Sequence, residues 1–172
     1  SWTDGHLNPD YRETYARYFV KFIKVMKEKG INIYAVSPQN EPLNRQNCAS
    51  LYMPWQEEAP FVKALATEFK KNNLTTKIYI YDHNYNYDNI SDQDNYPLKV
   101  YEQLKSDEPF AGSELIVGAA YHNYGGNNGV LGYIHDQQPD KELIFSETSI
   151  GAWNDGRNLA NRLVPDMKEV VL

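Results

Sequence analysis

The chain has 172 residues, 41% of them hydrophobic and 23% charged, which is enough apolar material for a core and excludes a disordered polymer. Its net charge of −6 and the lack of any Lys or Arg cluster argue against a nucleic-acid-binding face, and no apolar run reaches the roughly 18 residues that a membrane-spanning helix needs. The single cysteine, Cys48, allows neither an internal disulfide nor a multi-cysteine metal site.

In chain order, Asn8 is a good N-cap and Pro9 suits a first helical position. Tyr11, Tyr15, Tyr18, Phe22 and Met26 then recur at helical spacing, with Phe19, Ile23 and Val25 beside them, until Gly30. Residues 31–37 read as a strand whose continuation Pro42 forbids. After a loop over 43–53, Pro54 opens a second helix with Phe61, Val62, Leu65 and Phe69 on one face, closed by Asn72 and Asn73. Residues 77–81 are the next strand, followed by a polar loop over 82–95. Pro97 starts a helix bearing Leu98, Val100, Tyr101 and Leu104. A strand over 114–121, a Gly/Asn turn over 125–129, a short helix with Val130, Leu131 and Ile134, and a strand over 142–146 come next. A last helix carries Leu159, Leu163, Met167 and Val170, disturbed at Pro165.

Helices and strands therefore alternate around four strands, which predicts an α/β fold with a parallel sheet and helical crossovers, in one domain over 1–172. Functional groups in such folds gather at the carboxyl ends of strands. Here those ends read Gln39-Asn40-Glu41, Asp82-His83-Asn84, Tyr121-His122-Asn123-Tyr124 and Ser146-Glu147-Thr148. All four are polar and fall on one side of the sheet, and the opposite ends are plain by comparison. Fourteen tyrosines are present, many in these polar stretches, and an apolar ring with a polar tip suits a sugar.

Glu41 and Glu147 each follow a short apolar run. Two carboxyl groups about 5 Å apart are what a retaining glycosidase needs, one as nucleophile and one as acid/base. The acid must keep its proton at neutral pH, so like-charge repulsion is expected to raise its pKa. Three other chemistries compete. His83 and His122, with Asp82 and Glu147 near, are a workable ligand set for a metal-dependent hydrolase, though no tight ligand motif such as His-x-His is present. The length also fits a small non-catalytic α/β ligand-binding domain, but Pro38 to Pro42 stand where a Gly-rich phosphate loop would be. Ser146 lacks the flanking glycines of a nucleophile elbow, and Cys48 lacks the basic surroundings of a reactive thiolate.

Four stretches, Tyr15-Ala16-Arg17-Tyr18-Phe19-Val20-Lys21-Phe22, Ala35-Val36-Ser37-Pro38-Gln39-Asn40-Glu41-Pro42, Tyr121-His122-Asn123-Tyr124 and Phe145-Ser146-Glu147, occur in the order in which they resemble glycoside hydrolase family 30, the clan A family of glucosylceramidases and β-1,6-glucanases. The resemblance runs over nearly the whole chain. It implies a (β/α)8 barrel of which this chain holds about strands four to seven, with the family's β-sandwich absent. It implies Glu41 as acid/base at the end of strand four and Glu147 as nucleophile at the end of strand seven. Asn40 matches the residue that binds the sugar 2-hydroxyl, His122 and Tyr124 match residues lining the site, and Asp82 and Asn84 fall on strand five as candidate sugar ligands. Trp153 is a candidate stacking platform for a second sugar, whereas Trp55 is expected to pack its helix start.

The resemblance thus implies a retaining β-glycosidase that needs no cofactor or metal. Its expected substrate is a β-glucan or β-glucoside, with β-1,6-glucan ahead of glucosylceramide because Ser50 to Trp55 and the Tyr-rich loop after Asp82 look like the bacterial glucanase branch. The expected partners are the remainder of the barrel and a β-sandwich, and the expected setting is secreted, periplasmic or surface-anchored, although no signal peptide is visible after Ser1. A complete barrel takes about 250 residues, so this chain by itself is expected to be inactive and to associate through open strand edges.

Overall fold

The structure is a computed structural model, and it describes residues 4–45, 50–85, 90–149 and Lys168. Four helices, α1 (Arg12–Glu28), α2 (Trp55–Lys71), α3 (Tyr96–Ser106) and α4 (Gly129–Gln137), alternate with four strands, β1 (Ala35–Val36), β2 (Lys77–Asn84), β3 (Ile116–His122) and β4 (Glu142–Glu147). The strands form one sheet in the order β1-β2-β3-β4, every neighbouring pair parallel. The four carboxyl ends therefore share one rim, as the alternation predicts. Cys48, Trp153 and the expected last helix lie outside the described residues.

Helix α2 carries the core. Phe61, Val62, Leu65 and Phe69 are fully buried, each contributing about 1.5–3 kcal/mol of transfer free energy. They join Ile78, Ile80, Ile116, Ala119 and Tyr121 from the helix side of the sheet. Pro60 lies in the second turn of α2, where its missing N–H removes one ladder bond, to the Gln56 carbonyl. At its start Trp55 donates from its indole to the Asp92 carbonyl at 2.9 Å, the packing role its position suggests.

Three elements differ from the sequence reading. In α1 the buried face is Ala16, Val20 and Ile23, and the aromatic row is turned outward, with Tyr18 63% exposed. Of that row Tyr15 still reaches inward, stacking on Phe61 of α2 at 5.0 Å between ring centres. Strand β1 is only two residues long, paired on one side by Lys77 and Ile78. Strand β2 does not stop at Tyr81 but continues through Asp82, His83 and Asn84. Within β2, Ile78 and Ile80 pack among the helix-side core residues, while Lys77 and Tyr79 meet Glu142 on the other face.

The extension of β2 is possible because it bulges. The pairing register with β3 shifts between Tyr81 and His83, and both Tyr81 (φ 74°) and Asp82 (φ 49°) are left-handed. A further shift, between β3 and β4, leaves Ser146 as the extra residue. Bulges of this kind re-aim side chains near sites. Here the two extra residues meet, with the Ser146 hydroxyl donating to Asp82 Oδ1 at 2.6 Å.

Candidate active site

The rim is organised around one imidazole. His122 ends β3 and is fully buried. Its Nδ1 lies 3.2 Å from Glu41 Oε1, its Nε2 3.1 Å from Asp82 Oδ1, and the same Nε2 3.8 Å from Glu147 Oε2. Three carboxylates thus surround a single ring. Asp82 has both oxygens engaged inside the protein, Oδ1 by His122 and Ser146 and Oδ2 by the Ser37 hydroxyl at 2.5 Å.

Glu41 is held through its backbone as well as its side chain. It is left-handed (φ 47°); its N–H donates to the Asp82 carbonyl at 2.9 Å, and its own carbonyl accepts from Asn44 N–H at 2.9 Å. The Asn44 side-chain amide donates to Glu41 Oε2 at 2.6 Å. A non-glycine residue in this conformation is uncommon and clusters at functional sites. Glu147 closes β4 on the other flank, its side chain 46% exposed, with its carbonyl accepting from Asn123 N–H at 3.1 Å. One carboxylate oxygen of Glu41 and one of Glu147 lie within 4.8 Å of each other.

Electrostatics follow from this packing. For His122, burial alone would lower the pKa, but hydrogen bonds to Asp82 and Glu41 outweigh it and push the ring up to about 9. For Asp82, burial would raise the pKa, but His122, Ser146 and Ser37 together hold the carboxyl below its usual value. Glu41 departs from the expectation of a raised acid: the His122 hydrogen bond, only partly offset by burial and reinforced by Asn44, holds it below the ordinary carboxylate range. The reason is that the His122 ring bonds Glu41 directly, and this attraction outweighs the cost of burying the charge. His83 behaves oppositely to His122, burial pushing it down to about 4.

Glu41, His122 and Glu147 offer ligand atoms close enough for one metal ion. In the present arrangement both nitrogens of His122 are engaged by carboxylates, Nδ1 by Glu41 and Nε2 by Asp82, so the ring serves here as a hydrogen-bond partner on both sides.

Of the remaining sequence candidates, Asn40 is exposed on the rim next to Glu41. Asn84 accepts from Tyr124 N–H at 2.9 Å through its side-chain oxygen. Tyr124 is 41% exposed and its hydroxyl meets Ser149 Oγ at 3.0 Å. Trp153 lies outside the described residues. The sequence reading missed Ser37, Asn44 and the supporting part of Ser146. Ser37 and Ser146 sit within the strand-end stretches already singled out, so their position was a signal; their partners depended on the two bulges.

Known proteins share this fold and sequence. The sequence profile of the glycosyl hydrolase family 30 TIM-barrel domain matches residues 2–161. A solved structure described as the endo-beta1,6-glucanase BT3312 shares 60% identity and superposes with a TM-score of 0.84 over 99% of this chain and 36% of its own. The endo-1,6-beta-D-glucanase BGN16.3 of Trichoderma harzianum is 32% identical over 161 residues, 88% of this chain and 30% of that protein. A putative glucosylceramidase 4 of Caenorhabditis elegans is 26% identical over 181 residues, 95% of this chain and 33% of that protein. The chain spans about a third of the length of these relatives, and its four parallel strands are a portion of their barrel. A parallel half-barrel with its polar rim at the carboxyl ends, matched by that profile over almost its full length, belongs to glycosyl hydrolase family 30.

Proposed function

We propose that the protein carrying this chain hydrolyses β-glycosidic bonds by double displacement, with Glu147 as nucleophile and Glu41 as acid/base. The observation that carries the reading is the approach of the two carboxylates to within 4.8 Å, close to the roughly 5–5.5 Å separation of retaining enzymes and well below the 6.5–9.5 Å that an inverting water requires. The more exposed Glu147 is the group that a sugar can reach for attack on the anomeric carbon. Glu41 is the group with a proton source behind it.

The lowered pKa of Glu41 gives that proton a different origin from the one expected. Glu41 and His122 share a single proton, which rests on the imidazolium because Asp82 stabilises it there. As negative charge grows on the departing oxygen, the shared proton passes from His122 Nδ1 to Glu41 Oε1 and on to that oxygen, leaving His122 neutral and Glu41 ionised. The C–O bond breaks as Glu147 bonds to the anomeric carbon. In the second half, Glu41 takes a proton from water, whose oxygen displaces Glu147, and the proton returns to the pair. Asn40 is assigned to the sugar 2-hydroxyl, Asn84 and Tyr124 to the sugar-binding wall, and Trp153 to a second sugar. The double displacement uses no metal or cofactor.

The substrate proposed is β-1,6-linked glucan, on the strength of the 60% identity to a protein named an endo-beta1,6-glucanase and of the fungal relatives with the same printed activity. Glucosylceramide stands second through the C. elegans relative. The full-length protein should be assayed on a β-1,6-glucan, laminarin, xylan and an aryl β-glucoside, with the first-formed anomer followed by NMR. Cleavage of the β-1,6-glucan with retained β configuration supports the reading. Activity on xylan alone contradicts the substrate, and an initial α product contradicts the mechanism.

A further inference from the structure

Glu58 lies outside the rim, in the first turn of α2, and its side chain is fully buried. A carboxyl group is rarely placed so deep without a task. Its Oε1 accepts the backbone N–H of Tyr81 at 3.1 Å, and Tyr81 is the first of the two left-handed residues in the β2 bulge. The bulge turns the Asp82 carbonyl toward Glu41 N–H and the Asp82 carboxylate toward His122, Ser37 and Ser146. The Tyr81 hydroxyl adds a bond to the Asn84 carbonyl at 2.6 Å, closing the bulge from its other end. Left-handed backbone at two successive non-glycine residues costs on the order of 1–2 kcal/mol for each, so something must hold it.

We propose that Glu58 is a positioning residue, whose carboxyl pins the Tyr81 N–H and so fixes the bulge that seats Asp82 against His122 and Glu41.

The groups facing Glu58 are Tyr81 and Asp82 from β2 and Tyr96 and Tyr101 from α3. The Tyr96 hydroxyl is itself committed to the Met53 carbonyl at 2.6 Å. Among these neighbours none is a cation. Burial accordingly pushes the Glu58 carboxyl up to about 8, the Tyr81 N–H offsetting part of the rise. A protonated acid accepts the amide hydrogen bond without placing a bare charge in the core, and its raised pKa has a consequence for stability. The folded state holds a proton that the unfolded chain releases near 4.5, so stability falls as pH rises from about 4.5 and the loss is complete above about 8.

The link from the bulge to catalysis rests on the proposed hydrolase reading; the link from Glu58 to the bulge does not. Two variants of the full-length protein, Glu58→Gln and Glu58→Leu, separate them. Hydrogen exchange at the Tyr81–Asp82 amides should be roughly tenfold or more faster in Glu58→Leu, which leaves a buried donor without its acceptor, and near wild type in Glu58→Gln, which keeps an acceptor oxygen. On a β-1,6-glucan or aryl β-glucoside, Glu58→Leu should lose kcat with little change in KM and shift the alkaline limb of its pH profile, and Glu58→Gln should recover most of that loss. Unchanged exchange in a folded Glu58→Leu overturns the proposal, whatever the activity. Altered exchange in a protein with no glycosidase activity keeps the proposal and removes the hydrolase reading. If Glu58→Leu fails to fold, the near-isosteric Glu58→Met decides in its place: faster exchange at the Tyr81 amide is expected, and unchanged exchange in the folded variant overturns the proposal.

Discussion

The two ends of the same sheet treat charge in opposite ways. On the open face at the amino ends, Glu142 is matched. Lys77 Nζ lies 2.7 Å from its Oε1 and the Tyr79 hydroxyl donates to its Oε2, while Lys77 also sits over the Tyr34 ring at 5.0 Å. The acid is held below its ordinary pKa, first by Lys77 and then by Tyr79, and the lysine above its own, first by Glu142. At the carboxyl ends, three carboxylates share one imidazole, and among the described residues no lysine or arginine pairs with them. A compensated cluster has little to gain from any ligand. An uncompensated one is poised to move a proton or to stabilise positive charge developing on a sugar ring, which is what the rim of a barrel is used for.

Substitutions should break this asymmetry in proportion. The largest effect belongs to Glu147→Gln in the full-length protein, a loss of several orders of magnitude in kcat if the proposed nucleophile is removed, since that role has no substitute, with thermal stability unchanged or slightly higher as one of three crowded carboxylates disappears. Glu41→Ala comes next. Substrates with poor leaving groups should slow by about 10²–10⁴-fold, the usual contribution of general acid–base catalysis, while activated aryl glycosides lose far less. Equal losses on both classes, measured as kcat/KM, would contradict its role.

Asp82→Asn should cost on the order of tenfold to a hundredfold in rate, part of the full general-acid contribution. It should also move the alkaline limb of the pH profile downward from about 9, since the imidazolium loses its strongest partner. The same pair makes a stability prediction with a definite sign. His122 is raised from its ordinary 6.5, so its contribution to folding is fully present below 6.5 and fades as pH rises through about 9. Because Glu41, His122 and Asp82 interact strongly, these limbs report the cluster as a unit.

Away from the rim, a Cβ built at Gly118 of β3 would lie 2.0 Å from the Glu142 carbonyl oxygen of β4. Gly118→Ala should therefore destabilise by about 1–3 kcal/mol, as overpacking against an immovable backbone does, measured by denaturant midpoint. Glu142→Gln should do least. A drop in melting temperature on the order of 2 °C is expected from a partly exposed pair, with kcat within about twofold of wild type.

Much of this was legible in the residues. Alternating apolar runs predict the four parallel strands, and Pro42, Asp82, Asn123 and Thr148 mark where polar groups collect at one rim. The buried face of α2 follows from its spacing, since Phe61, Val62, Leu65 and Phe69 have nowhere else to go. The face of α1 does not, because apolar residues lie on two sides of that helix and only packing chooses Ala16, Val20 and Ile23. Nor does the clamp on His122. It depends on two bulges that move Asp82 and Ser146 out of register, and left-handed Tyr81, Asp82 and Glu41 carry no glycine to announce them. The depressed pKa of Glu41 was hidden for the same reason: sequence spacing brings carboxylates together but does not place an imidazolium between them.

The central claim is that Glu147 forms the covalent bond to the sugar while Glu41 and His122 manage the proton. Incubation of the full-length protein with a 2-deoxy-2-fluoro β-glucoside, with peptide mass mapping of the product, tests it most directly. One label per active chain is predicted, on Glu147, with none on Glu41. A label on any other residue, or inactivation without covalent mass, would contradict it.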